Sequence, residues 1–339
     1  MYKEYIKDLV ETGEIPGGVL YVSKKDEVKC LEAYGSFTDR DGVKQHIHAN
    51  TLFDVASLTK ISATVPSILY LVAKGELKLD TKVEAVLPKF QNSDVTIEHL
   101  LIHTSGLSAD LPYRERKIER DVLQEIYQKE LTYVPGQKMI YSDLGMILLG
   151  KITENVTDQA LDIFVKEKIH EPWGMMHTRF NLSVEAKKKA ASTEKYQDSY
   201  IQGEVHDEKA YQLGGVSGSA GLFSTIEDMA IYARILLYPG SQSVIPPSHL
   251  KMAVEHRQFN RGLGFEVWSG LGDAPSCGDK WSIGSFGHTG FTGTSLWVDP
   301  TNQLIGVFLT NAVHYGRETP IRSIRKKLHT LIFETENIH

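Results

Sequence analysis

Residues 52–73 read Leu-Phe-Asp-Val-Ala-Ser-Leu-Thr-Lys-Ile-Ser-Ala-Thr-Val-Pro-Ser-Ile-Leu-Tyr-Leu-Val-Ala, and the rest of the chain is best interpreted outward from them. Apolar residues recur here at steps of three and four, which predicts a buried helix from Ser57 to Lys74, with a kink at Pro66. Ser57 and Lys60 stand three positions apart, so they share one helical face with about 5–6 Å between their Cβ atoms. The Lys60 amine can therefore reach the Ser57 hydroxyl.

The position of Ser57 and Lys60 at the start of a helix suits them to nucleophilic catalysis. The positive end of the helix dipole and the backbone N–H of Ser57 both favour an oxyanion at that point. An ammonium group kept away from water has a lowered pKa, which would let Lys60 act as a base toward Ser57. The alternative is a lysine that extends its amine from a core helix into solvent.

The string Ser-x-x-Lys occurs at three other places, and context separates Ser57 from those copies. Ser192 lies in a polar stretch, Ser248 follows two prolines as a helix N-cap would, and Ser323 sits in a terminal helix rich in lysine and arginine. These three serines are interpreted as structural. Only Ser57 stands between apolar segments, so we take it as the nucleophile.

Two further triplets follow downstream. Tyr141-Ser-Asp143 opens an apolar helix, and His288-Thr-Gly290 begins a strand pair near the C-terminus. Together with Ser57-Leu-Thr-Lys60, they resemble the three signature elements Ser-x-x-Lys, Tyr-x-Asn and Lys-Thr-Gly of the penicillin-binding protein and class C β-lactamase superfamily. The resemblance covers most of the chain, because further segments are similar to this group at residues 101–107, 214–224 and 287–295.

Apolar periodicity indicates where the strands and helices lie. A helix at 3–11 precedes a predicted hairpin of strands at 18–23 and 28–34, and a second strand pair at 294–298 and 304–309 precedes a helix that starts at Pro320. The region between these ends is mainly helical. Its predicted helices are 57–74, 144–154, 160–169 and 225–237.

The predicted fold class is therefore α/β (α+β), and the resemblance implies a fold of the β-lactamase and DD-peptidase type. We expect one domain over residues 1–339, with an antiparallel sheet built from both termini and flanked by helices. The sheet part is expected at about 1–55 and 265–339, and the mainly helical inserted part at about 56–264. The low-apolar stretch 185–209 is expected to be a long surface excursion.

The resemblance also implies catalytic roles for three residues. Ser57 attacks a carbonyl group and forms an acyl-enzyme, which water or another acceptor then releases. Tyr141 takes the position of the tyrosine that shares proton transfer with Lys60. Beside an ammonium its phenol should have a lowered pKa, and as a phenolate or a relay it could accept the Ser57 proton.

The segment around His288-Thr-Gly290 is expected to form the far wall of the site. Thr289 would hydrogen-bond the polar end of the substrate, and Gly290 would let the substrate approach the strand closely. The backbone N–H of Phe291 would complete an oxyanion hole opposite that of Ser57.

Two residues depart from the usual signatures. Asp143 stands where asparagine is common, so a carboxylate that only accepts hydrogen bonds replaces an amide. His288 stands where lysine is common, so a group that is largely neutral above pH ~6.5 replaces a permanent cation. Both changes remove positive charge or donors from the side that would hold the carboxylate of a penicillin or peptide, although Asp143 could support the Lys60 ammonium.

The sequence thus favours a serine hydrolase that acts on an amide, an ester or a β-lactam. The alternative is a penicillin-binding or peptidoglycan-sensing module that is acylated, or merely binds, without efficient turnover. The partner in either case is a small molecule or a peptide.

Composition excludes several other classes. The 339 residues contain 37 Lys plus Arg against 43 Asp plus Glu, a net charge of -6 with no long basic run, so no nucleic-acid partner is expected. The longest apolar stretch, 61–73, is too short to cross a bilayer. The N-terminus lacks the apolar region of a secretory signal, which predicts a cytoplasmic protein, although removal of a leader from an exported protein would give the same pattern.

Other catalytic and cofactor motifs are missing or incomplete. The segment 215–219 lacks the last glycine of a nucleophile elbow, and 262–264 lacks the third glycine of a dinucleotide fingerprint. His46 and His48 have no third ligand nearby, so no metal and no cofactor are predicted. Cys30 and Cys277 are interpreted as ordinary thiols. Three other polar residues are interpreted as turn and hydrogen-bond residues: His103, Ser105 and His206.

Overall fold

The computed structural model describes residues 1–112, 115–240 and 243–337. Its α-helices are α1 (Tyr2–Glu11), α2 (Val65–Ala73), α3 (Val83–Val86), α4 (Ile97–Leu101), α5 (Val122–Tyr127), α6 (Asp143–Thr157), α7 (Leu161–Val165), α8 (Val184–Lys187), α9 (Glu208–Gln212), α10 (Ile226–Leu237), α11 (Pro247–Val254) and α12 (Ile321–Glu336). Two π-helical segments span Lys60–Thr64 and Lys166–His170, and a 3₁₀ helix spans Ala312–Tyr315.

The strands form one large sheet and two small ones. They are β1 (Gly17–Lys24), β2 (Glu27–Thr38), β3 (Lys44–His46), β4 (Phe53–Asp54), β5 (Lys195–Tyr196), β6 (Ser199–Tyr200), β7 (Phe223–Ser224), β8 (Glu266–Val267), β9 (Phe286–Thr289), β10 (Ser295–Asp299) and β11 (Leu304–Thr310). The large sheet has seven strands in the order β3-β2-β1-β11-β10-β9-β8, while β4 pairs with β7 and β5 with β6.

The two ends of the chain meet in the middle of the large sheet. Strand β1 pairs antiparallel with β11, from Gly18 opposite Thr310 to Lys24 opposite Leu304. Every pairing in this sheet is antiparallel. The predicted fold, a sheet built from both termini and flanked by helices, is confirmed.

Strand β1 is buried on both faces, and its side chains alternate between two cores as the period of a strand requires. Val19 and Tyr21 pack into the large core shared with the helical region. Leu20 and Val22 pack into a second core beneath α1 and α12. The sheet is therefore a middle layer, covered by the terminal helices on one side and by the inserted helices on the other.

The helix that follows Ser57 is irregular, and Pro66 explains why. Proline has no N–H, so Pro66 cannot donate to a carbonyl of the preceding turn. Two buried side chains supply donors there: the Tyr232 hydroxyl donates to the Ile61 carbonyl, and Nε2 of His170 lies 2.9 Å from the Ser62 carbonyl oxygen. Instead of a simple kink, the chain forms the π-helical segment Lys60–Thr64 before α2 begins.

The prediction of a surface excursion at 185–209 is wrong for much of its length. Residues 190–193 and most of 201–210 are buried, although many of them are polar. Their polar groups find partners inside the protein: Ser192 donates to the Thr38 carbonyl, and Gln202 donates to that of Ala190. Internal hydrogen bonding, which a hydropathy pattern does not report, lets this polar stretch form part of the interior.

Within the described ranges, no helix has both the length and the apolar character that a membrane span requires. Cys30 and Cys277 are buried free thiols.

Candidate active site

A cavity of about 1090 Å³ opens between the helical region, the end of β9 and the start of α12. Most of the residues predicted from the sequence motifs line it, namely Ser57, Tyr141, Asp143, His288, Thr289, Gly290 and Phe291. Lys60 lies behind Ser57 and is fully buried. The fold therefore brings all eight predicted residues to one place, although they come from distant parts of the sequence.

The serine and the lysine of the first motif are in direct contact. Nζ of Lys60 lies 2.8 Å from Oγ of Ser57 and donates to it. The same amine also donates to the backbone carbonyl of Ser219, at 2.7 Å. A third contact, 2.8 Å to Oδ1 of Asp143, completes its surroundings. Lys60 is thus held by three acceptors and has no access to solvent, which excludes the alternative of a lysine that reaches the surface.

The predicted lowering of the Lys60 pKa is wrong. Burial does lower the pKa of Lys60, but the charge of Asp143 and the contact with Tyr141 outweigh it, so the net shift is upward. The pKa of Asp143 shifts in the opposite direction. Burial raises the pKa of its carboxyl, but the ammonium groups of Lys60 and Lys209 lower it by more, to about 2. In the resting protein Lys60 is an ammonium and Asp143 a carboxylate.

Tyr141 contacts both members of the first motif. The Lys60 amine lies 5.2 Å from the centre of the Tyr141 ring, and the side chains of Ser57 and Lys60 both act on the pKa of its hydroxyl. The predicted lowering of the Tyr141 pKa is also wrong. Burial raises the pKa of Tyr141 and exceeds the opposing effect of Lys60, so the resting phenol is neutral.

Two residues that line the cavity have backbone N–H groups without partners among the described residues. Among the residues that the structure describes, none accepts a hydrogen bond from the N–H of Ser57 or from that of Phe291. The loop that carries Phe291 is tied to the segment before Ser57, since the hydroxyl of Thr292 donates to the Asp54 carbonyl at 2.8 Å and that of Thr294 to the Val55 carbonyl at 3.1 Å. The two free donors are therefore held at a fixed spacing, as an oxyanion hole requires.

The glycine at position 290 serves the fold in a way that the sequence did not suggest. A Cβ atom there would lie 2.6 Å from the Val55 carbonyl oxygen and 2.1 Å from Oγ1 of Thr294. Gly290 thus allows the close approach of the protein's own backbone on the side that we had assigned to the substrate. Ala56, directly before Ser57, has a φ of 47°, which is a strained conformation for alanine.

His288 is buried at the end of β9, and its ring is neutral. Nδ1 lies 2.8 Å from the carbonyl oxygen of Thr289 and donates to it, while Nε2 has no partner among the described residues. Burial together with the charges of Arg261 and Lys60 lowers the pKa of His288 well below its ordinary value. A neutral His288 cannot replace the cation of the Lys-Thr-Gly signature.

Sequence reasoning missed the buried cations of this site, among them Arg261 and Lys209. Arg261 lines the cavity with Nη1 unpartnered among the described residues, and its Cζ lies 5.5 Å from the centre of the Tyr141 ring. Lys209 lies behind the wall and contacts Asp143. Neither residue belongs to a motif. The only sequence signal for Lys209 was the run of charged residues at 207–209, which lay in the stretch assigned to the surface.

The described part of the chain contains no group of three or more His, Cys, Asp or Glu side chains that is arranged to hold a metal ion.

Comparisons with known proteins show which family the chain resembles over its length. The beta-lactamase family model matches residues 3–330. A "Putative D-alanyl-D-alanine carboxypeptidase" of Escherichia coli (strain K12) is 33% identical over 353 residues, which cover 91% of this chain and 81% of the relative. EstCE1, "a hydrolase with promiscuous acyltransferase activity", has a similar structure, with a TM-score of 0.77 at 21% identity over 97% of each chain.

A penicillin-binding protein homologue from Caulobacter crescentus is also similar in structure, with a TM-score of 0.75 at 21% identity over 98% of this chain and 96% of that one. These two structural neighbours support the fold alone. The match to the family model and the 33% identical relative extend over nearly the whole sequence. On these grounds the chain belongs to the beta-lactamase family of serine hydrolases.

Proposed function

We propose that the protein is a serine carboxypeptidase, which transfers the acyl part of a short peptide to Ser57 and releases a C-terminal D-amino acid. The 33% identical relative carries the name of a D-alanyl-D-alanine carboxypeptidase, which supports this class of substrate. The observation that carries the proposal is Arg261, a buried cation that lines the cavity and whose side chain has no hydrogen bond or ion pair with a described residue.

The proposed reaction begins with attack of Ser57 Oγ on the carbonyl carbon of the scissile amide. Negative charge moves to the carbonyl oxygen, which the free N–H groups of Ser57 and Phe291 would stabilise. The serine proton passes to the pair formed by Lys60 and Tyr141, which must first have lost one proton because both are protonated at rest. The pair then gives that proton to the leaving amine as the C–N bond breaks, and water later hydrolyses the ester.

The reason for a carboxylate-bearing substrate is the state of Arg261. Its side chain is only 8% exposed, and a buried guanidinium with an unpaired donor is unfavourable unless a ligand supplies an acceptor. A terminal carboxylate would provide both the acceptor and the opposite charge. Arg261 would thus take over the function of the signature lysine that His288 replaces.

Two matched peptides test this proposal, diacetyl-L-lysyl-D-alanyl-D-alanine and the same peptide with a C-terminal amide. We expect wild type to prefer the acid, and Arg261→Gln to lose about 10- to 100-fold in kcat/KM for the acid only, as expected for one charge-assisted hydrogen bond of about 1.5–3 kcal/mol. Arg257→Gln is the matched control, because Arg257 pairs with Glu98 outside the cavity. Ser57→Ala should abolish both reactions.

Other outcomes separate this proposal from its alternatives. Equal rates for acid and amide, or an unchanged Arg261→Gln variant, would contradict a carboxypeptidase, and so would equal cleavage of peptides that end in L-alanine. A fluorescent penicillin distinguishes turnover from binding. Stable labelling of Ser57 without hydrolysis of any peptide or of p-nitrophenyl butyrate would support the penicillin-binding or peptidoglycan-sensing module instead.

A further inference from the structure

Asp143 lies between two buried lysines. Its Oδ1 is 2.8 Å from Nζ of Lys60, and its Oδ2 is 3.4 Å from Nζ of Lys209. Both lysine side chains are at least 95% buried, since their exposed fractions are 1% and 5%. One carboxylate therefore serves two ammonium groups, of which only Lys60 touches Ser57.

Two other carboxylates hold the second lysine in place. Nζ of Lys209 lies 2.7 Å from Oδ1 of Asp110 and 3.2 Å from Oδ2 of Asp207. Asp207 also accepts from the N–H of Ala210 as the N-cap of α9, which fixes the start of the helix that carries Lys209. The position of Lys209 is thus determined by three separate parts of the fold.

The two lysines differ in the number of carboxylates around them. Lys60 contacts Asp143 alone, whereas Lys209 contacts Asp143, Asp110 and Asp207. Burial lowers the pKa of Lys209, but the three carboxylates raise it by more than burial lowers it, so the net shift is upward. Three carboxylates within 3.4 Å thus favour the charged form of Lys209, against one carboxylate beside Lys60.

An ion pair with Asp143 by itself would hinder catalysis, because it favours the ammonium form of Lys60 that cannot accept the serine proton. A second, permanent positive charge on the other side of the same carboxylate acts in the opposite direction, since it repels the Lys60 ammonium. Given Ser57, Lys60 and Tyr141 as the proposed acylation groups, we propose that Lys209 is a positioning residue that acts across Asp143 and makes Lys60 easier to deprotonate.

The other titratable groups around Lys60 do not substitute for the positive charge of Lys209. Burial, with the charges of Arg261 and Lys60, lowers the pKa of both His103 and His288 well below the ordinary value, so both rings stay neutral. Arg261 is a constant positive charge in every variant considered below. Tyr141 titrates together with Lys60, and the two form one proton-accepting pair.

The test is the pH dependence of acylation by p-nitrophenyl butyrate, measured as the pre-steady-state burst. The rate of acylation should rise with pH as the pair of Lys60 and Tyr141 loses a proton. We call this rising part of the pH profile the alkaline limb. In Lys209→Met we expect this limb to move upward by about one pH unit, so acylation below the limb slows about tenfold. Lys209→Arg keeps the charge and should leave the limb near its wild-type position.

A matched control and a second variant keep the test decisive. Lys151→Met removes a lysine that pairs with Glu154 outside the cavity, and it should leave the limb unchanged. Lys209→Gln retains N–H donors for the surrounding carboxylates, so it should show the same upward shift even if Lys209→Met does not fold. Unfolding by urea, measured in parallel, separates a loss of stability from a shift of the limb.

Two results would overturn the inference: an unmoved limb in folded Lys209→Met and Lys209→Gln, or an equal shift in Lys209→Arg. Both leave the proposed function intact, because acylation of Ser57 still occurs. A wild type that shows no acylation at all contradicts the proposed function itself, and with it the role of Lys209.

Discussion

Nζ of Lys60 lies 2.8 Å from Oδ1 of Asp143, and this contact sets the protonation state of the site. The amine nearest to the nucleophile is buried, yet the carboxylate beside it raises its pKa. In the proposed mechanism, a proton must therefore leave the pair of Lys60 and Tyr141 before Ser57 can be deprotonated. Asparagine, common at position 143 in the resembling signature, would remove that negative charge.

The first prediction concerns Asp143→Asn. Removing the carboxylate lowers the Lys60 pKa, so the base form becomes available at lower pH. We expect the alkaline limb of acylation to move downward by about one pH unit or more. Asp41→Asn, an exposed surface change, is the control. An unchanged limb in burst kinetics would show that Asp143 does not support the ammonium.

The second prediction concerns Gly290→Ala. The added Cβ would collide with the Val55 carbonyl and Thr294 Oγ1, so the loop must shift and carry the N–H of Phe291 out of position. Loss of one oxyanion donor typically costs about 10²–10³ in kcat. We expect a fall of that size in steady-state assays, with little change in KM.

A suitable control for this variant is Gly240→Ala, because a Cβ there would meet no atom of the described residues within 4 Å, apart from its chain neighbours. It should retain wild-type kcat. A Gly290→Ala protein with full activity would mean that the loop adjusts without displacing its donor.

The third prediction concerns the donors that serve the helix before Pro66. Tyr232→Phe removes the hydroxyl that donates to the Ile61 carbonyl and leaves a buried acceptor unpaired. Such a loss costs about 1–3 kcal/mol in the free energy of unfolding. Urea denaturation should detect it. Tyr238→Phe, which removes an exposed hydrogen bond to Gln303, should cost close to nothing, and equal effects of the two variants would refute the argument.

The fourth prediction concerns His170 and pH. Burial lowers the pKa of His170 from 6.5 to about 4, so the unfolded chain binds a proton in a range where the folded protein does not. The folded state therefore loses stability as pH falls from about 6.5 toward 4, on the order of 3 kcal/mol from this group.

His170→Gln removes the titration while an amide N–H can still donate to the Ser62 carbonyl. Its unfolding free energy, measured by urea denaturation at pH 7 and pH 5, should change less between the two values than that of wild type. Other buried histidines, such as His329, are present in both proteins and cancel in the comparison. Equal pH dependence of the two proteins would assign the acid loss of stability to other groups.

The sequence predicted the central features of the fold, and the residues that it proposed for the site lie together in the structure, for identifiable reasons. Strands β1 and β11 are continuous apolar runs bounded by turn residues, and the spacing of Ser57 and Lys60 on a helix is set by helical geometry. The sequence did not reveal the tertiary contacts that oppose the predicted pKa shifts of Lys60 and Tyr141. Burial of Lys60 could be inferred, but its 2.8 Å distance to Asp143 depends on how α6 packs against the first motif.

Arg261 and Lys209 were missed for a related reason. Arg261 lies in an irregular loop, and Lys209 lies in a polar stretch whose burial depends on internal partners such as Asp110 and Asp207. Hydropathy and periodicity indicate whether a segment faces solvent or packs into the core. Neither indicates which charged residues, distant in the sequence, will form ion pairs. The additional cations of this site could be found only from the tertiary arrangement.

The pairing of β1 with β11 also has a consequence for synthesis on the ribosome. Thr310 in β11 follows Gly17 in β1 by 293 positions. At a synthesis rate of about 5–20 residues per second, roughly 15–60 seconds pass after β1 is made before β11 is available to pair with it. During that interval the nascent β1–β2 hairpin has an open, apolar edge. We expect the emerging chain to depend on chaperones until its last strands leave the exit tunnel.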